Sequence, residues 1–130
     1  KFAVTKLEFL SDRDTVHTFI DGKVYDSTYP AVIEDGEAYM PFEPQKDFCR
    51  LMKLYHEWYR SEKTLMVMVG DKKVLFTVGS DKVIVGKETL QLKKPLETYD
   101  SLPMIPMSVF DKLGHCKTAI SEKTVNIELC

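Results

Sequence analysis

Short apolar segments, alternating with polar positions and separated by turn residues, run along most of the chain. Residues 1–9 and 72–78 are rich in Val, Leu and Phe and are typical of strands. Residues 15–20 predict a further strand, and Asp21-Gly22 after it is a hairpin signal. The pattern therefore predicts strands joined by tight turns.

One stretch in each half of the chain has helical spacing instead. Phe48, Leu51 and Leu54 recur at intervals of three and four residues, which predicts a helix with one apolar stripe. A shorter helix is predicted over 106–113, where Gly114 supplies the left-handed conformation that ends many helices. Each half is therefore expected to combine strands with one helix.

Landmarks of the first half return in the same order in the second half. The tetrapeptide Ser-Glu-Lys-Thr occupies 61–64 and again 121–124, each time before an apolar strand pattern. Ahead of it stand two pairs of prolines with equal spacing: Pro30 with Pro41, and Pro95 with Pro106. Such ordered self-similarity is the signature of an internal repeat.

We divide the chain into a first unit at 1–71 and a second unit at 72–130. The predicted fold class is α+β: two tandem repeats, each a small, mostly antiparallel twisted β-sheet packed on one α-helix, together forming one compact module. The repeat register makes 55–60 a strand, although periodicity alone would continue the first helix, and we follow the register. In that register His115 corresponds to Tyr55.

Each unit has the same order of turns, prolines and strand ends. In the first unit the motifs are Asp21-Gly-Lys23, Pro30, Glu34-Asp-Gly36, Tyr39-Met-Pro-Phe42 and Lys63-Thr-Leu-Met-Val67. In the second unit they are Val85-Gly-Lys87, Pro95, Met104-Ile-Pro-Met107, Leu113-Gly114 and Lys123-Thr-Val-Asn-Ile127. This order, repeated twice, resembles the copper amine oxidase N-terminal-like (stalk-like) domain family. Departures such as Glu37 after the second turn bear on a shared binding surface more than on the fold.

The resemblance implies an extracellular module of the kind attached to secreted or surface proteins of Gram-positive bacteria. Such a stalk-like domain lies apart from the catalytic domain, carries neither the metal nor the redox cofactor, and has mostly undefined ligands. The localisation expected from the resemblance is extracellular or cell-wall associated. The chain opens at Lys1, with which a removed signal peptide is compatible.

Composition removes several classes of partner. The 18 basic and 20 acidic side chains alternate along the chain and give a formal net charge of −2, so no clustered basic surface for nucleic acid is expected. No apolar run reaches the roughly 18–20 residues that a membrane span requires. The three cysteines are too few for a disulfide framework, although a Cys49–Cys116 bridge stays open.

The inventory of reactive residues predicts no enzyme. Amine oxidation needs three histidine ligands for copper and a tyrosine that follows an asparagine, yet the chain has no His-x-His pair and its only asparagine is Asn126. Adjacent His115 and Cys116 would point to opposite faces of a strand and would not chelate together. Cys49 with His56 is more simply a buried thiol and a surface imidazole. No catalytic residue, cofactor or metal site is predicted.

Acidic residues gather in the predicted turns, where they could bind calcium loosely: Asp12, Asp14, Glu34, Asp35 and Glu37. Loop carboxylates are ligands that calcium prefers. Ordinary solvated turns explain these residues better, so they add no metal site to the prediction.

Aromatic residues provide the best candidate for a partner-binding surface: Tyr55, Trp58 and Tyr59. On a strand, alternation places Trp58 on one face and the two tyrosines on the other, and the sequence leaves open which face is exposed. Exposed aromatic rings stack on sugar rings or anchor protein partners. The simpler interpretation, favoured on sequence grounds, is that these rings fill the core.

Two functional hypotheses remain for the chain. The first is a non-catalytic extracellular scaffold or interaction module that binds cell-wall glycan or a protein partner. The second is self-association through sheet edges, which gives a homodimer or a structural stalk without a small-molecule ligand. Neither hypothesis requires a cofactor.

Overall fold

The computed structural model describes residues 16–25, 29–43, 48–99 and 101–130. The strand predicted for residues 1–9 lies outside these ranges. Asp12 and Asp14, two of the acidic turn residues, also lie outside them.

Strands dominate the described residues. In this part of the chain the strands are β1 (His17–Ile20), β2 (Lys23–Val24), β3 (Val32–Glu34), β4 (Glu37–Pro41), β5 (Tyr55–Tyr59), β6 (Thr64–Val69), β7 (Lys72–Thr77), β8 (Lys82–Val85), β9 (Glu88–Gln91), β10 (Thr98–Tyr99), β11 (Leu102–Pro106), β12 (Cys116–Ser121) and β13 (Thr124–Leu129). Two short helices accompany them, α1 (Phe48–Leu51) and α2 (Ser108–Lys112). The described fold is mostly β, with less helix than the α+β prediction suggests.

Backbone pairing organises the described strands into three sheets. The first, with order β5-β6-β7-β8-β9, is antiparallel throughout. The second has order β12-β13-β1-β2 and contains a parallel pair, because β1 runs alongside β13 in the same direction. The third has order β10-β11-β4-β3 and is antiparallel.

Each of these sheets combines strands from both sides of the predicted boundary between residues 71 and 72. The turn at Gly70 and Asp71 joins β6 directly to β7 in one hairpin, in which Val69 pairs with Lys72. In the other two sheets β1 pairs with β13, and β4 pairs with β11. The two predicted units therefore share their sheets, and neither has a described sheet wholly its own.

The third sheet places corresponding residues of the two predicted units opposite one another. Across β4 and β11 the pairs are Tyr39–Pro106, Met40–Ile105 and Pro41–Met104. The repeat register equates Met40 with Ile105, and both side chains are buried. A local two-fold axis therefore passes between β4 and β11, and it relates the position of Met40 in one strand to that of Ile105 in the other.

The two helices end in the same way. At each end an amide donates to the carbonyl five positions back: Leu54 to Cys49, and His115 to Phe110. The residue before that amide is left-handed in both cases, Lys53 with φ of 58° and Gly114 with φ of 75°. This hydrogen bond and the left-handed residue define a Schellman-type end. The stop predicted at Gly114 is confirmed, and Lys53 takes the same role without glycine's freedom.

Residues 55–59 form β5 and do not continue α1. The helix ends at Leu51, and the left-handed backbone at Lys53 turns the chain into the strand. The strand that the repeat register predicts over 55–60 is confirmed. The longer helix that periodicity indicates is wrong, because a left-handed residue interrupts helical hydrogen bonding.

The loop of the β5–β6 hairpin is longer than the loop of the β12–β13 hairpin. The last pairs of the two hairpins are Tyr59–Thr64 and Ser121–Thr124, which leave 60–63 in the first loop and 122–123 in the second. Counted back from these pairs, Lys117 stands at the position of Tyr55. The expected correspondence of His115 with Tyr55 is therefore wrong, because the added loop residues shift the register.

A cluster of buried side chains connects the described sheets and helices. Its largest fully buried members include Phe76, Phe110, Ile20, Met40, Met52, Leu65 and Ile105. The rings of Phe76 in β7 and Phe110 in α2 lie 6.0 Å apart. Full burial of a side chain of this kind stabilises a fold by about 1.5–3 kcal/mol. The inward-facing side chains of the β5–β6 hairpin belong to this cluster or pack against it, so the cluster stabilises the hairpin.

Candidate binding surface

The aromatic candidates lie on β5, at the edge of the five-stranded sheet. The side chains of Tyr55, Glu57 and Tyr59 face outward, and the two tyrosines are 58% and 41% exposed. His56 and Trp58 alternate with them and are half-buried. The strand follows the predicted alternation, with the tyrosines on the open face. The interpretation of these rings as core filling does not hold for Tyr55 and Tyr59.

A carboxylate lies between the two exposed tyrosines. The hydroxyl of Tyr55 donates to Glu57 Oε2 at 2.5 Å, and the hydroxyl of Tyr59 donates to Glu57 Oε1 at 2.6 Å. We call these three residues the tyrosine row. The two bonds lower the pKa of the Glu57 carboxyl, because they stabilise its charged form. The same bonds raise the pKa of Tyr55 and of Tyr59, because each hydroxyl holds its proton against the carboxylate.

This bonding determines which hydrogen bonds the tyrosine row offers to a ligand. Both hydroxyl protons are directed at Glu57, so the tyrosine oxygens keep only acceptor capacity. A carboxylate is itself an acceptor with several lone-pair directions. The row therefore combines two aromatic rings with acceptors and suits a ligand that is rich in donors.

Apolar side chains continue the open face of the sheet beyond β5. The paired residues that follow Glu57 across successive strands are Met66, Leu75 and Ile84. Ile84 is 45% exposed, Leu75 is half-buried and Met66 is buried. On this face the buried Met66 thus separates the tyrosine row from an apolar patch formed by Leu75 and Ile84.

A groove of about 520 Å³ opens on the other side of β5. Its lining consists of Trp58, Arg60, Lys63, Val78, Thr98, Ser101 and Leu102. Trp58 comes from β5, Arg60 and Lys63 from the β5–β6 loop, and the last three from β10, β11 and the turn between them. We call this feature the Trp58 groove. Trp58 points inward in the alternation along β5 and lines this groove, whereas Tyr55 and Tyr59 form the open face.

The reactive residues that the sequence singled out are dispersed. The ring of His56 packs against the Phe42 ring with centroids 4.9 Å apart, and His115 Nε2 lies 2.6 Å from the Met52 carbonyl oxygen. Cys49 and Cys116 are both free and buried, so the disulfide left open by the sequence is not formed. Burial raises the pKa of each thiol to about 12. These thiols are therefore held in their unreactive protonated form.

The acidic turn residues within the described ranges have structural partners. Glu37 is buried and accepts a hydrogen bond from the Ser108 amide at 3.0 Å, which satisfies a free donor at the start of α2. Glu34 forms an ion pair with Lys94, and the backbone carbonyl of Asp35 accepts a hydrogen bond from Lys93 Nζ at 3.1 Å. The interpretation as a solvated turn is wrong for Glu37. No group of three or more His, Cys, Asp or Glu that could hold a metal occurs in the described part.

Sequence reasoning missed three of the residues at these surfaces. Glu57 was recoverable, because the spacing Tyr-x-Glu-x-Tyr places all three side chains on one face of a strand. Arg60 and Lys63 were not, because only the fold brings their loop beside β10 and β11.

These features describe a small, mostly β module whose exposed aromatic residues lie on an edge strand. The family model for the copper amine oxidase N-terminal domain matches residues 19–129, so the chain belongs to that family. The match is continuous and runs across both predicted units. Membership in the family indicates a non-catalytic accessory domain.

Two further findings bound this assignment. No curated protein and no solved structure matches the chain. Among the described residues, no helix has the length and apolar character needed to cross a membrane. The surface chemistry of β5 therefore carries the remaining functional argument.

Proposed function

We propose that the chain is a non-catalytic interaction module on the outside of the cell and that it binds a neutral glycan through the tyrosine row. The observation that carries this proposal is the exposure of two tyrosine rings on one face of an edge strand, on either side of a carboxylate. Family membership in an accessory domain supports a binding role in place of catalysis.

The chemistry of the tyrosine row suits sugars in two respects. Pyranose rings present C–H faces that stack on aromatic rings, and many hydroxyl groups that donate hydrogen bonds. The row offers both tyrosine rings and an acceptor set centred on Glu57. A carboxylate ligand, in contrast, would meet a like charge at Glu57 and be repelled.

The spacing of the row favours an oligosaccharide over a single sugar. A strand advances about 3.3 Å per residue, so the backbone positions of Tyr55 and Tyr59 lie about 13 Å apart along β5. The two side chains lean toward each other, because both hydroxyls bond to Glu57, and together they form one elongated aromatic surface that suits more than one sugar unit. The glycan we propose is therefore a chain that lies along the strand.

Cellular location and ancestry belong to the same proposal. The family resemblance supports a surface protein of Gram-positive bacteria as the setting of the domain. The pairing of Met40 with Ile105 and the matching helix ends support an origin from two repeated units. A scaffold of two related halves, of which only one carries the tyrosine row, is the arrangement that we propose.

Isothermal titration with neutral tetrasaccharides, cellotetraose and chitotetraose, tests the glycan proposal. We expect the double variant Tyr55→Ala/Tyr59→Ala to weaken binding by about tenfold or more, because both stacking rings are removed. The matched control is Lys117→Ala/Ser121→Ala, which alters the corresponding face of β12. Binding that is the same in both double variants, or undetectable in the unaltered chain, contradicts the proposal.

Self-association is the second candidate function. Leu75 and Ile84, beyond the buried Met66, give the open sheet face an apolar patch that a second copy could cover. Light scattering over a range of protein concentrations tests this alternative. A strict monomer at the highest concentration excludes it, and a dimer that Ile84→Lys dissociates supports it.

A further inference from the structure

The Trp58 groove has a chemistry opposite to that of the tyrosine row. Its two charged residues are Arg60 and Lys63, both exposed, and none of the seven lining residues in the described part of the chain is acidic. Within the described ranges neither cation has a side-chain hydrogen bond or an ion pair. The described lining of the groove is therefore positively charged.

The neutral polar groups of the groove add donors. Trp58 carries an indole N–H that cannot accept, and Thr98 and Ser101 carry hydroxyls that can donate. No hydrogen bond engages these three side chains within the described part of the chain. An acceptor-rich anion is the ligand that such a set complements.

The loop that holds the two cations is fixed by its own backbone. The Lys63 amide donates to the Arg60 carbonyl at 3.2 Å, and the Lys63 carbonyl accepts from the Val78 amide at 3.0 Å. Thr64 Oγ1 donates to the Glu62 carbonyl at 3.1 Å. Arg60 and Lys63 are thus presented beside Trp58 by an ordered turn, which lowers the entropic cost of binding.

We propose that the Trp58 groove binds a sugar that carries a carboxylate, with Trp58 against the sugar ring and Arg60 and Lys63 on the carboxylate. The planar guanidinium of arginine matches a carboxylate in a two-point geometry. This inference goes beyond the neutral glycan of the tyrosine row and does not rest on it, since the two surfaces share no residue.

The size and charge of the groove decide among anionic ligands. A volume of about 520 Å³ falls in the ordinary range for ligand pockets, about 300–1,000 Å³, and is too large for a bare ion alone. Two cations are too few for a nucleic-acid backbone, whose binding grows with the number of phosphates neutralised. The indole ring favours a ligand with a flat apolar face next to its charge, which an acidic sugar has.

Isothermal titration at low salt with tetragalacturonate tests the proposal, and its full methyl ester is the matched neutral ligand. We expect the acid to bind at least about tenfold more tightly than the ester. Arg60→Gln and Lys63→Gln should each lower affinity for the acid several-fold, and added salt should weaken it further. Lys87→Gln, which removes a charge from the β8–β9 turn, is the control and should leave affinity unchanged.

Trp58→Phe separates stacking from charge while keeping an aromatic ring in the partly buried site. It should preserve the fold by circular dichroism and lose part of the affinity for the acid. Equal binding of acid and ester contradicts the proposal, and so does a hexaglutamate peptide that binds as tightly as tetragalacturonate. Tighter binding of a glycerol phosphate oligomer than of tetragalacturonate would show that the groove prefers phosphate, and it would also contradict the proposal. Failure of cellotetraose and chitotetraose to bind would instead concern the tyrosine row alone.

Discussion

The β5–β6 hairpin and the β12–β13 hairpin follow helix ends with the same hydrogen bonds, yet they present different chemistry. In the first, Tyr55, Glu57 and Tyr59 form the open face of the edge strand. In the second, Lys117, Ala119 and Ser121 hold the matching positions. The backbone of the two regions is conserved in form, and the ligand-facing side chains are not.

The difference between the hairpins also extends to their loops. Residues 60–63 make the first loop longer and supply the two cations of the Trp58 groove, whereas 122–123 make a tight turn. The same scaffold thus supports a face rich in acceptors, a groove rich in donors, and a plain hairpin. Binding chemistry in this fold is set by an edge strand and its loop, while the shared core stays constant.

The largest expected difference in stability between the two regions comes from one carboxylate in the second helix. Asp111 in α2 accepts from the Thr118 amide at 2.9 Å, from Thr118 Oγ1 at 2.7 Å and from Cys116 Sγ at 3.3 Å. Asp111→Ala leaves these donors without their partner, and we expect a loss of about 2–3 kcal/mol in the free energy of unfolding. Urea denaturation measures it.

Arg50 occupies the place of Asp111 in α1, since both carbonyls accept the amide of the left-handed residue. Arg50→Ala is therefore the matched comparison for Asp111→Ala. A free energy of unfolding that Asp111→Ala leaves unchanged would contradict the view that the carboxylate tie to β12 stabilises the second region.

Gly114 gives the next largest effect. Its φ of 75° is left-handed, and a side chain there is strained although no heavy atom lies within 4 Å of an added Cβ. We expect Gly114→Ala to lower the free energy of unfolding by about 1 kcal/mol. Thermal denaturation with van't Hoff analysis checks this value, and an unchanged melting temperature would show that the helix end tolerates the strain.

Lys53, which follows α1, allows the opposite substitution. It already holds φ at 58° with a side chain in place, so Lys53→Gly relieves strain. Glycine also loses more chain entropy on folding, so the net gain should be only about 0.5 kcal/mol. Denaturation of the two variants side by side should give opposite signs; a loss of stability in Lys53→Gly would break the likeness of the two ends.

The smallest expected effect concerns pH and only the first hairpin. The pKa of Glu57 is lowered, so the carboxylate and its two bonds persist as pH falls to the ordinary glutamate range near about 4.3 and are lost below it. The pKa values of both tyrosines are raised, so the bonds also persist up to the ordinary tyrosine range near about 10. Ultraviolet titration of tyrosine in Glu57→Gln should show Tyr55 and Tyr59 ionising at lower pH. An unchanged titration would contradict the hydrogen bonds between these tyrosines and Glu57.

Local signals in the sequence sufficed for much of this fold. The apolar pattern over 72–78 predicts β7 to within one residue, and Gly114 predicts the end of α2. The repeat register also predicts β5 against the helical spacing. These features are encoded within a few neighbouring residues, which is why pattern reading reaches them.

Other features depend on contacts distant in the sequence and were not predictable from it. The parallel pairing of β1 with β13 joins the two ends of the described chain. Burial of Glu37 depends on the Ser108 amide, which belongs to the other predicted unit. The Trp58 groove likewise needs the approach of β10 and β11 to the β5–β6 loop. No local sequence pattern encodes these long-range contacts.

The parallel pair of β1 and β13 has a mechanical consequence. His17 pairs with Thr124 and Ile20 with Ile127, so the start of β1 and the end of β13 lie at opposite ends of one ladder. A pulling force applied at His17 and at Leu129 therefore loads that ladder along the strands. Its hydrogen bonds must then fail together under shear, whereas an antiparallel hairpin pulled at its open end would unzip one bond at a time.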